Sequence, residues 1–218
     1  MFHVKLSRGE VEGLRAVLDW IGVEATPELT ETLTGYAGWL VDEGVRVGGI
    51  GPNEVERIWD RHVLDSLVFG YASDAGSILD VGSGVGLPGI PLAMALPHVH
   101  LTLLDRSGRR VDALGRLAAM FSLDVTIVQG DVAGVQARFD RVVLRASLTV
   151  DAARKSVPGL LAAGGDMVFG LGRGDQPDAV RRWRDNPWTK PEGGTIELLS
   201  TPPGILDSPS WLLRMRMP

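Results

Sequence analysis

The sequence predicts an α/β protein: a mostly parallel sheet with helices on both faces, an antiparallel hairpin at one edge, and a helical extension ahead of it. Three observations lead there. From residue 77 onward, short β-type apolar runs alternate with helical ones. The first of these runs ends in glycines at alternate positions, Gly82, Gly84 and Gly86, and then Pro88 precedes an apolar helical pattern. Three helix-type segments come before that first strand.

Ser7-Arg8-Gly9-Glu10 has capping-box spacing before Val11, Leu14, Val17 and Leu18, giving a first helix to about residue 21. Thr26-Pro27 opens a second, with Leu29, Leu33, Tyr36, Ala37 and Leu40 at helical spacing. The glycine-rich 44–51 stretch is a break, and Pro52-Asn53 opens a third helix carrying Val55, Ile58, Trp59, His62, Val63 and Leu67. Strands are then expected at 78–81, 101–105, 125–128, 141–144, 166–171, 195–199 and 211–215, with helices at 87–96, 111–121, 152–161 and 179–184. The last two strands lack a helix between them and are joined by residues 200–210, with three prolines, hence the closing hairpin. This divides the chain into an extension over residues 1–72 and a core over residues 73–218.

The 218 residues suit one large domain with such an extension. Hydrophobic residues at 44% and charged residues at 22% are ordinary for a globular chain. With no cysteine, disulfides, thiolate metal sites and a cysteine nucleophile are excluded. Met1-Phe2-His3-Val4-Lys5-Leu6-Ser7-Arg8 lacks an apolar signal core, and no run approaches membrane-spanning length. The expectation is a cytoplasmic monomer with no membrane contact. The net charge of −5 argues against broad non-specific nucleic-acid binding but leaves room for a local basic face.

The glycine loop has almost no side chains, so a ligand can approach its backbone, and its N–H groups would sit at a helix N-terminus. The dinucleotide fingerprint needs G-x-G-x-x-G, but the third position after Gly84 is Leu87. A P-loop needs Gly-Lys-Ser/Thr, and none follows. Asp80-x-Gly82-x-Gly84-x-Gly86 instead resembles the pattern of class I S-adenosylmethionine-dependent methyltransferases, which have a Rossmann-like sheet. An acidic residue should end the second strand and accept hydrogen bonds from ribose hydroxyls. Asp105 does so 19 residues beyond Gly86, near the roughly 20 of the analogous dinucleotide acid. A third contact is expected within Gln129-Gly130-Asp131-Val132-Ala133.

Arg61-His62-Val63-Leu64-Asp65-Ser66-Leu67, Leu87-Pro88-Gly89-Ile90-Pro91-Leu92, Leu103-Leu104-Asp105-Arg106-Ser107-Gly108-Arg109-Arg110 and Leu144-Arg145-Ala146-Ser147 narrow the class. Together they resemble the small-subunit ribosomal RNA guanine-N7 methyltransferase family, also called glucose-inhibited division protein B. The resemblance implies methyl transfer from S-adenosyl-L-methionine to N7 of a guanine in 16S rRNA, on the free RNA or the small ribosomal subunit. It implies that Gly82 and Leu87 line the cofactor site, that Val132 and Ala133 hold the adenine end, and that Arg145 sits by the reaction centre as cofactor contact and catalytic residue. The broader class adds Asp80, Gly84 and Asp105. Guanine N7 has a lone pair and no proton to lose, so neither a general base nor a metal is needed. Holding the reacting atoms in line at about 3 Å suffices.

Cations should gather near the cofactor mouth. Arg61, His62, Arg106 and Arg109 are the candidate substrate contacts. Arg57 lies four residues before Arg61, and Arg181, Arg182 and Arg184 cluster near Trp183 and Trp188 as further stacking and phosphate candidates. Each is weighed against an ordinary solvated helix face. Arg145 stands apart because it follows a buried-type strand and needs a partner or a cavity. His62 and Asp65, three apart on a helix, offer either a hydrogen bond seating the extension on the sheet or a wall of the substrate pocket.

The chain departs from the family on the substrate side. Where members commonly carry Asn-Leu-Thr it reads Gly48-Gly49-Ile50; Ser-Arg-Ala becomes Leu144-Arg145-Ala146; and a lysine-glycine becomes Arg173-Gly174. Two other readings therefore stay open: a divergent methyltransferase acting on another RNA or a small molecule, and a cofactor-binding module without catalysis.

Overall fold

A computed structural model describes residues 6–175, 177–185, 187 and 192–218. Seven strands form one sheet in the order β3-β2-β1-β4-β5-β7-β6. Their bounds are β1 Ser77–Val81, β2 His100–Asp105, β3 Val125–Gln129, β4 Phe139–Leu144, β5 Leu161–Arg173, β6 Thr195–Ser200 and β7 Ser210–Arg216. β1 to β5 are parallel, and β7 runs antiparallel between β5 and β6. The expected edge hairpin is therefore β6–β7. β1 pairs with β2 on one side and β4 on the other, so the strand order reverses between β1 and β4. In open α/β sheets that switch point is where a ligand crevice opens, at the carboxyl ends of the strands.

Period-two alternation splits the core. Ile78, Leu101, Leu103 and Val143 face one layer, and Leu79, Leu104, Val142 and Leu144 the other. The first layer holds α1 (Arg8–Trp20), α2 (Pro27–Trp39), α4 (Gly89–Ala95) and α5 (Gly108–Met120). The second holds α6 (Val150–Ser156) and α7 (Asp178–Asp185). Local signals set the first helices. The Ser7 hydroxyl accepts from Glu10 N at 3.3 Å, while Ser7 N donates to Glu10 Oε2 at 2.8 Å, which completes the capping box. Thr26 Oγ1 accepts from Leu29 N at 3.1 Å, and Pro27 takes the first helical position.

The third expected helix is not a regular one. Pro52–Arg57 is a 3-10 turn, Ile58–Leu64 is wound π-fashion, and a short α turn, α3 (Asp65–Leu67), leads into a last 3-10 turn over Val68–Gly70. The wider winding still buries Ile58, Trp59, Val63, Leu64 and Leu67. β5 also begins five residues before its expected start. Gly164, at φ +73°, and Gly165 lie between the expected helix and strand, and the chain absorbs them where the β4–β5 register shifts.

Arg141, read in sequence only as a strand residue, is buried to 1% exposure. Its guanidinium donates to Asp166 Oδ1 and Oδ2 at 2.7 and 2.9 Å, and to the carbonyls of Phe69, Tyr71 and Ala72 at 3.1, 3.1 and 3.4 Å. It thus caps the end of the 52–70 helical run from inside the sheet. Burial pushes the Asp166 carboxyl up, but Arg141 and Arg214 outweigh it and hold it below its usual range. Arg141→Met leaves Asp166 with Arg214 as its remaining partner and strands Asp166 Oδ1 and three carbonyls. It is expected to cost about 3–5 kcal/mol, read as a lower urea midpoint.

Candidate functional site

The chain leaves β1 through a glycine elbow. Gly82, Gly84 and Gly86 adopt φ of +70°, +63° and +94°, which L side chains rarely reach. Space binds as tightly as torsion. A Cβ at Gly82 would sit 2.5 Å from Ser147 Cβ, and one at Gly86 would sit 2.3 Å from Ile90 Cγ1. Most of the elbow's N–H groups already have partners. Gly82 N and Ser83 N donate to Leu104 O, Gly86 N and Leu87 N to Ser83 O, Gly84 N to Asp105 Oδ2 and Gly89 N to Asp80 Oδ2. A phosphate would need several open donors. This elbow offers room instead.

Asp80 lies beneath the elbow, fully buried. Its Oδ2 accepts from Ser83 Oγ at 2.6 Å and Gly89 N at 2.9 Å, while Oδ1 has no hydrogen-bond partner. Burial pushes its pKa up to about 6; the hydrogen bonds from Ser83 and Gly89, and Arg145, act in the opposite sense. From behind, the buried Tyr36 hydroxyl of α2 donates to Val85 O at 2.9 Å, a contact with no signal in the sequence. Val85 packs on Gly49, where a Cβ would lie 2.1 Å from Val85 Cγ1. The Gly48-Gly49 departure thus fits the bulk of Val85. Gly49→Ala is expected to cost about 1–3 kcal/mol, most of it returned by Val85→Ala in the same chain. Urea unfolding of the single and double variants reads that coupling.

Two cavities meet at the switch point, and Gly82 and Ala146 line both. Ala146 has φ +55°, an unusual torsion for a residue with a side chain and one that tends to occur at sites. The first cavity, about 510 Å³, lies at the ends of β2, β3 and β4 and is lined by Asp105, Arg106, Arg110, Val132, Ala133 and Ser147 among others. Asp105 Oδ1 accepts from Ser107 N and Oδ2 from Gly84 N, both at 2.8 Å. A carboxylate offers about four lone-pair sites, so each oxygen keeps one for a ligand diol. Asp131 Oδ1 accepts from Ala133 N at 3.0 Å and fixes the turn that presents Val132 and Ala133. The buried Ser147 hydroxyl has no partner. Diol acceptors, apolar walls and an unmet hydroxyl fit an adenosine group.

The second cavity, about 490 Å³, is lined by Arg61, His62, Asp65, Gly84, Leu87 and Arg145 among others. The Arg145 guanidinium donates to Arg61 O at 2.6 Å and Ser66 Oγ at 3.4 Å, and lies 3.5 Å from Asp65 Oδ2. Burial pulls its pKa below the ordinary arginine value, with Asp65 opposing. Asp65 Oδ1 accepts from Ser210 Oγ at 2.6 Å. Asp65 thus ties the helical run to β7, the His62 ring makes no hydrogen bond, and both residues line the cavity. Sequence reasoning missed Ser210, Phe69, Gly170 and Gly172 on this wall. Ser210 arrives only through antiparallel pairing, which local pattern does not encode.

Of the expected cations, Arg61 and Arg145 line the second cavity and Arg106 the first. Arg110 joins Arg106 there, and its Nη2 donates to Gly48 O at 3.2 Å. Arg109 lines neither cavity and lies beside Gly48. Asp80, expected as a cofactor contact, also lines neither and lies beneath the elbow. Arg57 faces Glu54 at 3.9 Å. Arg184 packs 5.3 Å from the Trp211 ring centroid, and Trp183 packs against the second core layer. Trp188 lies outside the described residues. Arg173, 2% exposed at its side chain, pairs with Asp60 and Asp207, so this cation is spent on structure. Among the described residues no cluster of three metal-ligating side chains occurs, and no helix is long and apolar enough to cross a membrane.

The crystal structure of a predicted O-methyltransferase from Agrobacterium tumefaciens shares the fold, with a TM-score of 0.50 and 22% identity over 71% of this chain and 78% of that one. Ribosomal RNA small subunit methyltransferase G of Mycolicibacterium smegmatis is 40% identical over 161 residues, 67% of this chain and 68% of its own. The Mycobacterium leprae protein of that name is 36% identical over 186 residues, 77% and 74% of the two chains. The family model described as GidB, rRNA small subunit methyltransferase G, matches residues 29–187, which span the elbow, the helical wall, the first cavity and all of the second cavity's lining but Ser210. The chain belongs to that family.

Proposed function

We propose that this protein transfers the methyl group of S-adenosylmethionine to N7 of a guanine in 16S rRNA. One observation carries the reading: two cavities of matched size share Gly82 and Ala146 as a common border, so a ligand in one reaches a ligand in the other at that border. Asp105, Val132 and Ala133 would hold the adenosine end, and Gly82, Gly84 and Leu87 would let the rest pass the elbow. When bound, the cofactor supplies a methyl group on a sulfonium sulfur, already activated for an acceptor that needs no deprotonation.

The residues then have positional work. Arg145, fixed by Arg61 O, Ser66 and Asp65, holds one side of the border. Asp80 places negative charge under the elbow, where a cationic ligand would lie. The apolar walls exclude water, and the glycines allow contact at near-attack range, about 3 Å. Arg61, Arg106 and Arg110 give the RNA backbone cations around the mouths, with Arg109 a further cation beside Gly48. The test is transfer of labelled methyl to isolated small subunits, to naked 16S rRNA and to small acceptors. Label on N7 of an rRNA guanine supports the reading. Cofactor binding with no label on rRNA sinks it in favour of a binding module or another acceptor.

A further inference from the structure

His62 lies in the wall of the second cavity, and both its ring nitrogens are buried without a hydrogen bond. Buried polar groups in folded proteins are nearly always satisfied, so such a ring calls for a ligand. Burial pulls its pKa down to about 4, with Arg145 and Arg61 adding to the effect and Glu54 and Asp65 opposing it. The ring is therefore neutral, with one donor and one acceptor nitrogen. Glu54 Oε2 stands 3.5 Å from Nε2. A carboxylate there favours the proton on Nε2 and leaves Nδ1 as the acceptor.

We propose that His62 Nδ1 accepts a hydrogen bond from the N1–H or N2–H of the acceptor guanine, and that Glu54 is the positioning residue that fixes the ring tautomer. This rests on the guanine reading above and adds the residue that recognises the base. Guanine presents adjacent donors at N1 and N2 on that edge, whereas adenine has an acceptor at N1, which Nδ1 repels, and a donor only at N6, where guanine carries its O6 acceptor, so an Nδ1 placed for guanine disfavours adenine. The contact also serves the reaction. Methylation at N7 places positive charge on the purine and makes N1–H a stronger donor, so the bond tightens as the methyl moves. A protonated imidazole would oppose that charge, and burial beside two arginines prevents it.

The test compares His62→Phe, His62→Asn and Glu54→Gln with the wild type. Methyl transfer to small subunits is measured at saturating cofactor, cofactor affinity by calorimetry and the ring tautomer by nitrogen-15 resonance. His62→Phe is expected to lose about 10- to 100-fold in kcat, the scale of one charge-assisted hydrogen bond, with cofactor affinity unchanged. His62→Asn, whose side-chain carbonyl can accept, recovers most of the loss. The wild-type ring carries its proton on Nε2, and Glu54→Gln mixes the tautomers. Unchanged kcat in His62→Phe, a parallel loss of cofactor affinity, or a proton on Nδ1 in the wild type overturns the proposal. A wild type that methylates no rRNA overturns the guanine reading instead, a failure distinct from an active wild type with indifferent His62 variants.

Discussion

Asp105→Asn is expected to weaken S-adenosylmethionine binding nearly as much as Asp105→Ala, by about 10²-fold or more. An amide is often a mild replacement for a carboxylate, but not here. Oδ1 faces Ser107 N–H and Oδ2 faces Gly84 N–H, each at 2.8 Å. Whichever way the substituted amide turns, its NH2 meets a backbone donor. The elbow is pushed away on one side or loses its strap to α5 on the other, and one ribose acceptor disappears with it. Losing charge-assisted hydrogen bonds worth about 1.5–3 kcal/mol each accounts for the factor. Calorimetry on both variants checks it. If Asp105→Asn binds within a few-fold of wild type, Asp105 does not hold the cofactor as described.

Arg145→Ala is expected to lower methyl transfer by about 10²-fold or more at saturating cofactor, the scale of removing a preorganised charged donor from a site. Arg145→Lys should rescue little. The guanidinium reaches Arg61 O, Ser66 and Asp65 at once with a planar fork, and an ammonium cannot span all three. A second readout separates a local loss from general unfolding. Arg145 is the largest charge contribution lowering the His62 pKa. With the alanine variant folded, that pKa should rise from about 4 toward the usual histidine value, by an NMR titration. Full activity in Arg145→Ala, or an unmoved His62, would remove Arg145 from the reaction centre.

The sequence was most legible where backbone geometry dictates residue type. Gly82 and Gly86 stand at torsions and contacts that admit no side chain, and Gly84 at a positive φ with open space around it, so the elbow was visible as spacing alone. Asp105 was visible because it ends a buried-type strand at a recognisable distance from the loop. Alternation of apolar runs gave all seven strands. What was hidden depends on tertiary approach. Tyr36 looks like any apolar-face residue of α2 until its hydroxyl is seen on Val85 O. Arg141 looks like a strand residue until Asp166 and three carbonyls close around it. Ser210 reaches Asp65 only because β7 reverses direction. The 52–70 run read as one regular helix because its apolar spacing is nearly helical. Its wider π winding places Arg61, His62 and Asp65 together on the cavity wall.

That shared border is tested most directly by incubating the protein with labelled S-adenosylmethionine and small ribosomal subunits and mapping the label to a base and an atom. The expected outcome is N7-methylguanine at a single 16S rRNA position, lost in Arg145→Ala. Cofactor bound in solution with no label in the RNA, or label on another atom of the base, would contradict it.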